Sequence, residues 1–316
     1  MILVTGGLGF VGSHTVRALL EQGESCVLVQ RRAAEAPTSL AGAPVDVTVE
    51  QADIGDLATL RAIGDRHDIT GIVHLAGPMP WATGDERPVD DVRTALDGLL
   101  NIVTVAQEWG VRRLGVASTI GVYHGVDAEG PLREDMPLSM TSGHLIPAFK
   151  KVGELLGDHL ASATGLDIVN YRIGAIWGPL GHPVDLFFPV PHLVHSAARG
   201  TAPDPAQLTN AHAEDAIDLC YVRDCGRAIA LLQTADHLEH RTYNVASGRA
   251  TTNAEVLDAI RTVVPDFAVE LPTGGSGRRN HLDISRARKD VGYQPEYDTE
   301  RAVADYIGWL RAGNDR

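Results

Sequence analysis

Lysine is almost missing from this chain. It occurs only at positions 150, 151 and 289, against twenty-four arginines, so each lysine is easy to weigh as a functional group. Cysteine is as scarce: Cys26, Cys220 and Cys225 are odd in number and none falls in a C-x-x-C. That argues against a disulfide framework or a zinc knuckle, so no metal is expected, and it suits reduced thiols in the cytoplasm. No apolar run reaches eighteen residues, so no bilayer-spanning helix is expected. A strand pattern begins at Ile2, and no secretion signal is expected ahead of it. Positive charge is in deficit, 27 basic against 41 acidic groups for a net −14. Such a chain repels nucleic acid and anionic membranes except through a local basic patch. What is present is ordinary globular composition, 44% hydrophobic and 22% charged. Disorder, collagen and coiled coil are excluded as the main state, and 316 residues suffice for a large core in one or two domains.

The apolar pattern alternates between short runs and amphipathic stretches. Runs at 2–5, 25–30, 45–49, 71–75, 112–118 and 167–173 predict strands. Stretches at 10–22, 56–66, 89–109 and 149–163 predict helices. Strands alternating with helices mean βαβ units: an α/β fold of Rossmann type, a doubly wound parallel sheet covered on both faces. After Gly174 prolines cluster at 179, 183, 189, 191, 203 and 205, and the alternation stops. It returns at 218–234 and 242–245, and Thr252 with Glu255 predicts a capping box for a further helix. The expected division is a dinucleotide-binding domain of 1–174 with 213–247, and a smaller, discontinuous substrate lobe of 175–212 with 248–316.

Thr5 to Gly12 reads T-G-G-L-G-F-V-G, between the first strand and the first helix. That context is what a dinucleotide fingerprint requires. Gly6 permits the tight turn, Gly9 lets backbone approach a pyrophosphate, and Gly12 lets helix pack close to strand. Phe10 and Val11 open the helix whose free N–H groups favour phosphate. The end of the second strand selects the cofactor. A carboxylate there would bind ribose hydroxyls and favour NAD. Here Gln30 is followed by Arg31 and Arg32, and guanidinium groups pair with phosphate, which predicts NADP(H).

These residues resemble the extended short-chain dehydrogenase/reductases, which include nucleotide-sugar epimerases and dehydratases, and the likeness runs over nearly the whole chain. Thr5 to Gly12 resembles that family's TGGxGFxG loop. Asp53-Ile54 resembles its adenine-contacting pair, and His74-Leu75-Ala76-Gly77 its HLAA segment beside the cofactor. The segment 118–123, S-T-I-G-V-Y, is similar to its SSxxVY strand end. Residues 222–224 and 244–248 are similar to its later VDD and NVGSG signatures. The resemblance implies that Ala117, Ile173 and Lys150 also border the cofactor. It implies too that Thr119, beside Ser118, hydrogen-bonds a substrate oxygen.

Three positions depart from the family pattern. The family's catalytic Tyr-x-x-x-Lys pair shares one helix face. Lys150 with Glu154 fits the continuation of that helix, so the tyrosine position is Ile146, and no tyrosine of the chain has a lysine four residues on. Ala175 replaces an Asn that commonly touches the nucleotide-sugar. Ile217 replaces an Arg that often holds its diphosphate. His144, Tyr123 and His124 are the candidate groups for carrying a proton in place of the tyrosine. Met79, Trp81, Tyr123, Met140, Ile146, Trp177, Phe187 and Phe188 fall where the family's pocket and lid should be, and such side chains suit a flat apolar ligand.

The expectation is an NADPH-dependent ketoreductase for a bulky apolar or aromatic ketone. The missing tyrosine resembles atypical family members that tailor polyketide antibiotics. A nucleotide-sugar epimerase or dehydratase with a displaced acid, and a non-catalytic NADP(H)-binding sensor, remain open. The resemblance also leaves open a homodimer through the helices at 89–109 and 149–163.

Overall fold

Seven short apolar runs form one parallel sheet. They are β1 (Ile2–Thr5), β2 (Cys26–Gln30), β3 (Val47–Gln51), β4 (Gly71–His74), β5 (Arg113–Thr119), β6 (Ile168–Ile173) and β7 (Thr242–Val245). In space they lie in the order β7-β6-β5-β4-β1-β2-β3. The computed structural model describes residues 1–32, 40, 42, 47–77, 88–128, 130–185, 187–277 and 279–316. Thr5 pairs with both Val29 and His74, so three strands end level with one another. The order reverses between β1 and β4, and a crevice opens beyond their carboxyl ends.

Near-continuous hydrophobic strands need cover on both faces. On one face lie α1 (Phe10–Glu21), α6 (Val222–Thr234) and α8 (Ser285–Val291), over a core that includes Leu28, Tyr171 and Ile229. On the other lie α2 (Leu57–Gly64) and α3 (Pro88–Glu108), over Leu3, Ile72 and Leu114. A further helix, α4 (Leu145–Thr164), begins four residues before its expected start. Proline at 147 stands in its first turn, where the missing N–H has no helical partner to lose.

A third apolar cluster joins α5 (Val190–Arg199), α7 (Asn253–Val263) and α9 (Thr299–Arg311). It also takes in Ala175–Trp177, which pairs with Leu219–Tyr221 as a separate two-stranded sheet. The capping box at Thr252 and Glu255 is formed, each side chain bonding the other's backbone N–H. All three cysteines are buried and unbonded. Among the described residues no helix is long and apolar enough to cross a membrane, and no cluster of metal-ligating side chains occurs.

Candidate active site

The glycine loop is held in a shape only glycine allows. Gly6 has φ +72°, and a Cβ on Gly12 would lie 2.0 Å from the Gly6 carbonyl oxygen. A Cβ on Gly9 would stand 3.1 Å from the same oxygen. Such crowding leaves backbone alone at the surface a phosphate would approach. Thr5 anchors the loop: its Oγ1 meets His74 Nδ1 at 2.8 Å and accepts the Ala76 N–H at 3.2 Å. Burial keeps the His74 ring neutral, with its pKa pushed down to about 3. Gln30 turns back on the loop. With its amide oxygen facing inward it accepts the N–H groups of Gly7 and Leu8 at 3.1 and 2.7 Å. The residue standing where an acid would hold a ribose therefore braces the glycine turn instead.

Beside this loop lies a cleft of about 230 Å³. Gly6, Arg31, Asp53, Ile54, Ala76 and Gly77 line it. Sequence reasoning missed Thr94, Ala95 and Phe149, which also line it and belong to helices rather than to any motif. Arg31 and Arg32 are both exposed, and of the two only Arg31 reaches the cleft wall. Phe10 lies over Gly181, while Val11, Leu75 and Ile173 are half-buried against the core below. The bare glycine turn, the helix start behind it and the cleft together fit a nicotinamide dinucleotide.

The position where the family resemblance implies a tyrosine is occupied by a hydrocarbon, Ile146. Ile146 and Lys150 lie one turn apart on α4, on the same face. Lys150 Nζ donates to the Ala117 carbonyl at 2.7 Å and lies close to Gly77 at the end of the cofactor cleft. Burial lowers its pKa to about 8, against the opposing pull of Glu154. Thr119 Oγ1 accepts the Gly121 N–H at 3.2 Å, which leaves its own proton to donate.

Ile146 and Thr119 face a chamber of about 550 Å³ with a mostly apolar lining. Ala175, Ile176, Ile217, Phe187 and Phe188 add to that lining. His144 and His124 stand in the wall as well. His144 is the N-cap of α4: its Nδ1 accepts the Ile146 N–H at 3.2 Å. In the neutral ring this fixes Nδ1 as acceptor, so Nε2 carries the proton. The ring meets Phe187 edge-on, with centroids 6.2 Å apart.

Several expectations need correction. Ser118 does not face the chamber. It is buried, and its hydroxyl donates to Glu154, which pairs with Arg172 at 2.7 Å. Tyr123 is a core residue, 4% exposed, bonded to Asn244 at 2.8 Å and to Arg172 at 2.9 Å. It lines none of the described cavities. Trp177 is equally buried, edge-on to Tyr221 and Tyr306 within the third cluster. Met140 is 88% exposed and lines no described cavity. Lys151, next to Lys150 in sequence, donates to the carbonyls of Ser139 and Thr141 and ties that loop to α4. Met79 and Trp81 lie outside the described residues.

Comparison with known proteins adds the wider context. The profile of the NAD dependent epimerase/dehydratase family matches residues 2–246. UDP-glucuronate 4-epimerase 6 of Arabidopsis thaliana is 25% identical, over 98% of this chain and 71% of that protein. The putative UDP-glucose 4-epimerase of Methanocaldococcus jannaschii is 23% identical over 99% of both. Among solved structures, UDP-glucose 4-epimerase of Thermotoga maritima with UDP-glucose superposes with a TM-score of 0.81, at 23% identity over 99% of each chain. The dTDP-glucose 4,6-dehydratase of Bacillus anthracis with NAD gives 0.80, at 20% identity over 98% and 96% of the two chains.

Proposed function

Because this chain belongs to the NAD dependent epimerase/dehydratase family, we propose that it moves hydride between a nicotinamide cofactor and a carbonyl carbon, as a ketoreductase for a bulky aromatic ketone of polyketide type, angucyclinone-like in shape. One observation carries this reading: Ile146 stands beside Thr119 in an apolar chamber, where the family resemblance implies a tyrosine. Thr119 Oγ1–H donates a hydrogen bond to the ketone oxygen and stabilises the developing alkoxide. Lys150, one turn beyond Ile146 on the same face of α4, holds the nicotinamide ribose. The bound dinucleotide supplies the hydride. His144 Nε2–H stands in for the missing phenol, passing its proton to the new alkoxide and taking one back from water, and a substrate whose own phenol bonds that alkoxide lessens the demand on it.

For the cofactor we propose NADP(H), with Arg31 at the 2′-phosphate and Arg32 as a more distant charge. The structural relatives with named cofactors contain NAD, so this preference rests on Gln30, Arg31 and Arg32 alone. The domain division expected from the sequence, with a lobe of 175–212 and 248–316, is kept as part of the proposal. So is a homodimer, through the outer face of α3 and α4, where Leu100, Val152 and Leu155 are exposed.

A second reading is a nucleotide-sugar epimerase or dehydratase with a displaced acid. The names of the relatives favour it, and by kinship alone it is the stronger reading. Ala175 and Ile217 in the chamber wall put the ketone first, because a buried diphosphate needs paired charge. The test follows NADPH and NADH oxidation with a panel of polycyclic aromatic ketones, and product formation from UDP-glucose and UDP-glucuronate in parallel. Turnover of a ketone, faster with NADPH, supports the proposal. Epimerised or dehydrated sugar with no ketone turnover replaces it with the second reading. Tight NADPH binding without any turnover indicates a sensor.

A further inference from the structure

The chamber holding Thr119 adjoins a second one of about 420 Å³. The two share Asp185, Phe187, Phe188 and Ile217 as common wall. Beyond this shared wall, here called the neck, the lining changes character. Gln207 and Asn210 bring amide side chains, and Asp215 a carboxylate already engaged by the N–H groups of Ser276 and His212 at 2.9 and 3.0 Å. Among the described residues lining either chamber there is no lysine or arginine. At the neck, Asp185 Oδ1 accepts the Phe187 N–H at 2.8 Å, so the loop itself fixes the carboxyl there.

We propose that the second chamber is a subsite for an uncharged, hydroxyl-bearing extension of the substrate, and that Asp185 at the neck is the residue that excludes a diphosphate. This deepens the ketoreductase reading and rests on it for the identity of the reacting chamber. A carboxyl group and two amides accept and donate hydrogen bonds to hydroxyls without needing a counter-charge. A diphosphate threading the same neck meets a fixed like charge on one side and Ile217 on the other. Neither replaces its hydration, and a repulsive group at such a point discriminates as strongly as an attractive one.

Binding to the NADPH-loaded protein, by calorimetry, tests this without any turnover. The probes are 1-naphthyl β-glucoside, an aromatic ring with a neutral polyhydroxyl tail, and UDP-glucose. The wild type is expected to bind the naphthyl glucoside at least tenfold more tightly. Asp185→Asn keeps an oxygen for the Phe187 N–H and removes the charge. It should tighten UDP-glucose at least tenfold and weaken the glucoside. Ile217→Arg, which leaves the Asp185 carboxyl in place and sets a cation in the same wall, should also tighten UDP-glucose. Wild-type preference for UDP-glucose overturns the proposal, as does UDP-glucose affinity unmoved by both variants. Failure of the ketone reading shows instead as absent hydride transfer, with these binding shifts intact.

Discussion

His144 and Ile146 are joined by one hydrogen bond, from the Ile146 N–H to the His144 Nδ1 at 3.2 Å. A single imidazole thus starts α4 and keeps its proton on Nε2. Cap and proton donor are separable by substitution. Asparagine is a good N-cap but transfers no proton at neutral pH. His144→Asn is therefore expected to leave the melting temperature within a few degrees while lowering kcat by about 10²-fold or more. His144→Ala should lose the cap as well, about 1 kcal/mol of stability. Undiminished kcat in His144→Asn would remove His144 from the proton path and leave the substrate's own phenol as the stabiliser.

Ile146→Tyr restores a phenol one turn before Lys150. A positioned acid is worth about 10²–10⁴ in rate. The gain should be greatest for ketones that lack a flanking phenol, at least about tenfold in kcat/KM, and small for substrates that stabilise their own alkoxide. Comparing the two substrate classes in wild type and variant checks this. An equal effect on both would sink the idea that the substrate supplies what the chain lacks.

Much of this was legible beforehand, because the fold is written in local patterns. The six strands read before Gly174 and the seventh at 242–245 recur in one parallel sheet, and the glycine loop lies between β1 and α1 as its spacing required. The start of α4 was not legible, because a proline in a first turn looks the same as one that stops a helix. Side-chain direction was not legible either. Tyr123 and Trp177 sit in segments next to the pocket, yet both turn into the core, where an arginine and other aromatic rings receive them. Asp185 went unremarked because no motif contains it. Only folding brings it beside Ile217, thirty-two residues on in the chain.

Arg31 lines the cleft that Arg32 does not reach. One charge-assisted bond to a 2′-phosphate is worth about 1.5–3 kcal/mol, or roughly ten- to a hundredfold in affinity. Arg31→Ala should lose that factor for NADPH and leave NADH unchanged, with Arg32→Ala losing less. Fluorescence titration of both nucleotides against both variants decides it. Equal losses for NADPH and NADH would show that Arg31 does not touch the phosphate.

Leu155 is 67% exposed on α4, and Val152 three residues before it is 44% exposed on the same helix face. With Leu100 of α3 they give the outer helices an apolar surface that a second copy would cover. Leu155→Glu should convert a dimer to a monomer in sedimentation at micromolar concentration. A wild-type monomer at that concentration would contradict the proposal outright.

Lys150 sets a pH limit. Burial brings its pKa down to about 8 from the ordinary 10.5, so the folded protein gives up this proton earlier than the unfolded chain does. Between those two values the unfolded chain binds more protons, and stability gains from this group as pH rises. Cofactor binding runs the other way, because the ribose contact needs the ammonium form. Affinity of the free protein for NADPH should therefore hold steady up to about pH 7.5 and fall above pH 8, by up to about tenfold per unit. Lys150→Met should bind more weakly at pH 7 and show no such fall. Titrations from pH 6.5 to 9.5 on both proteins check the prediction. A wild-type profile as flat as the variant's would mean that the Lys150 charge takes no part in holding the cofactor, leaving its bond to the Ala117 carbonyl as its role.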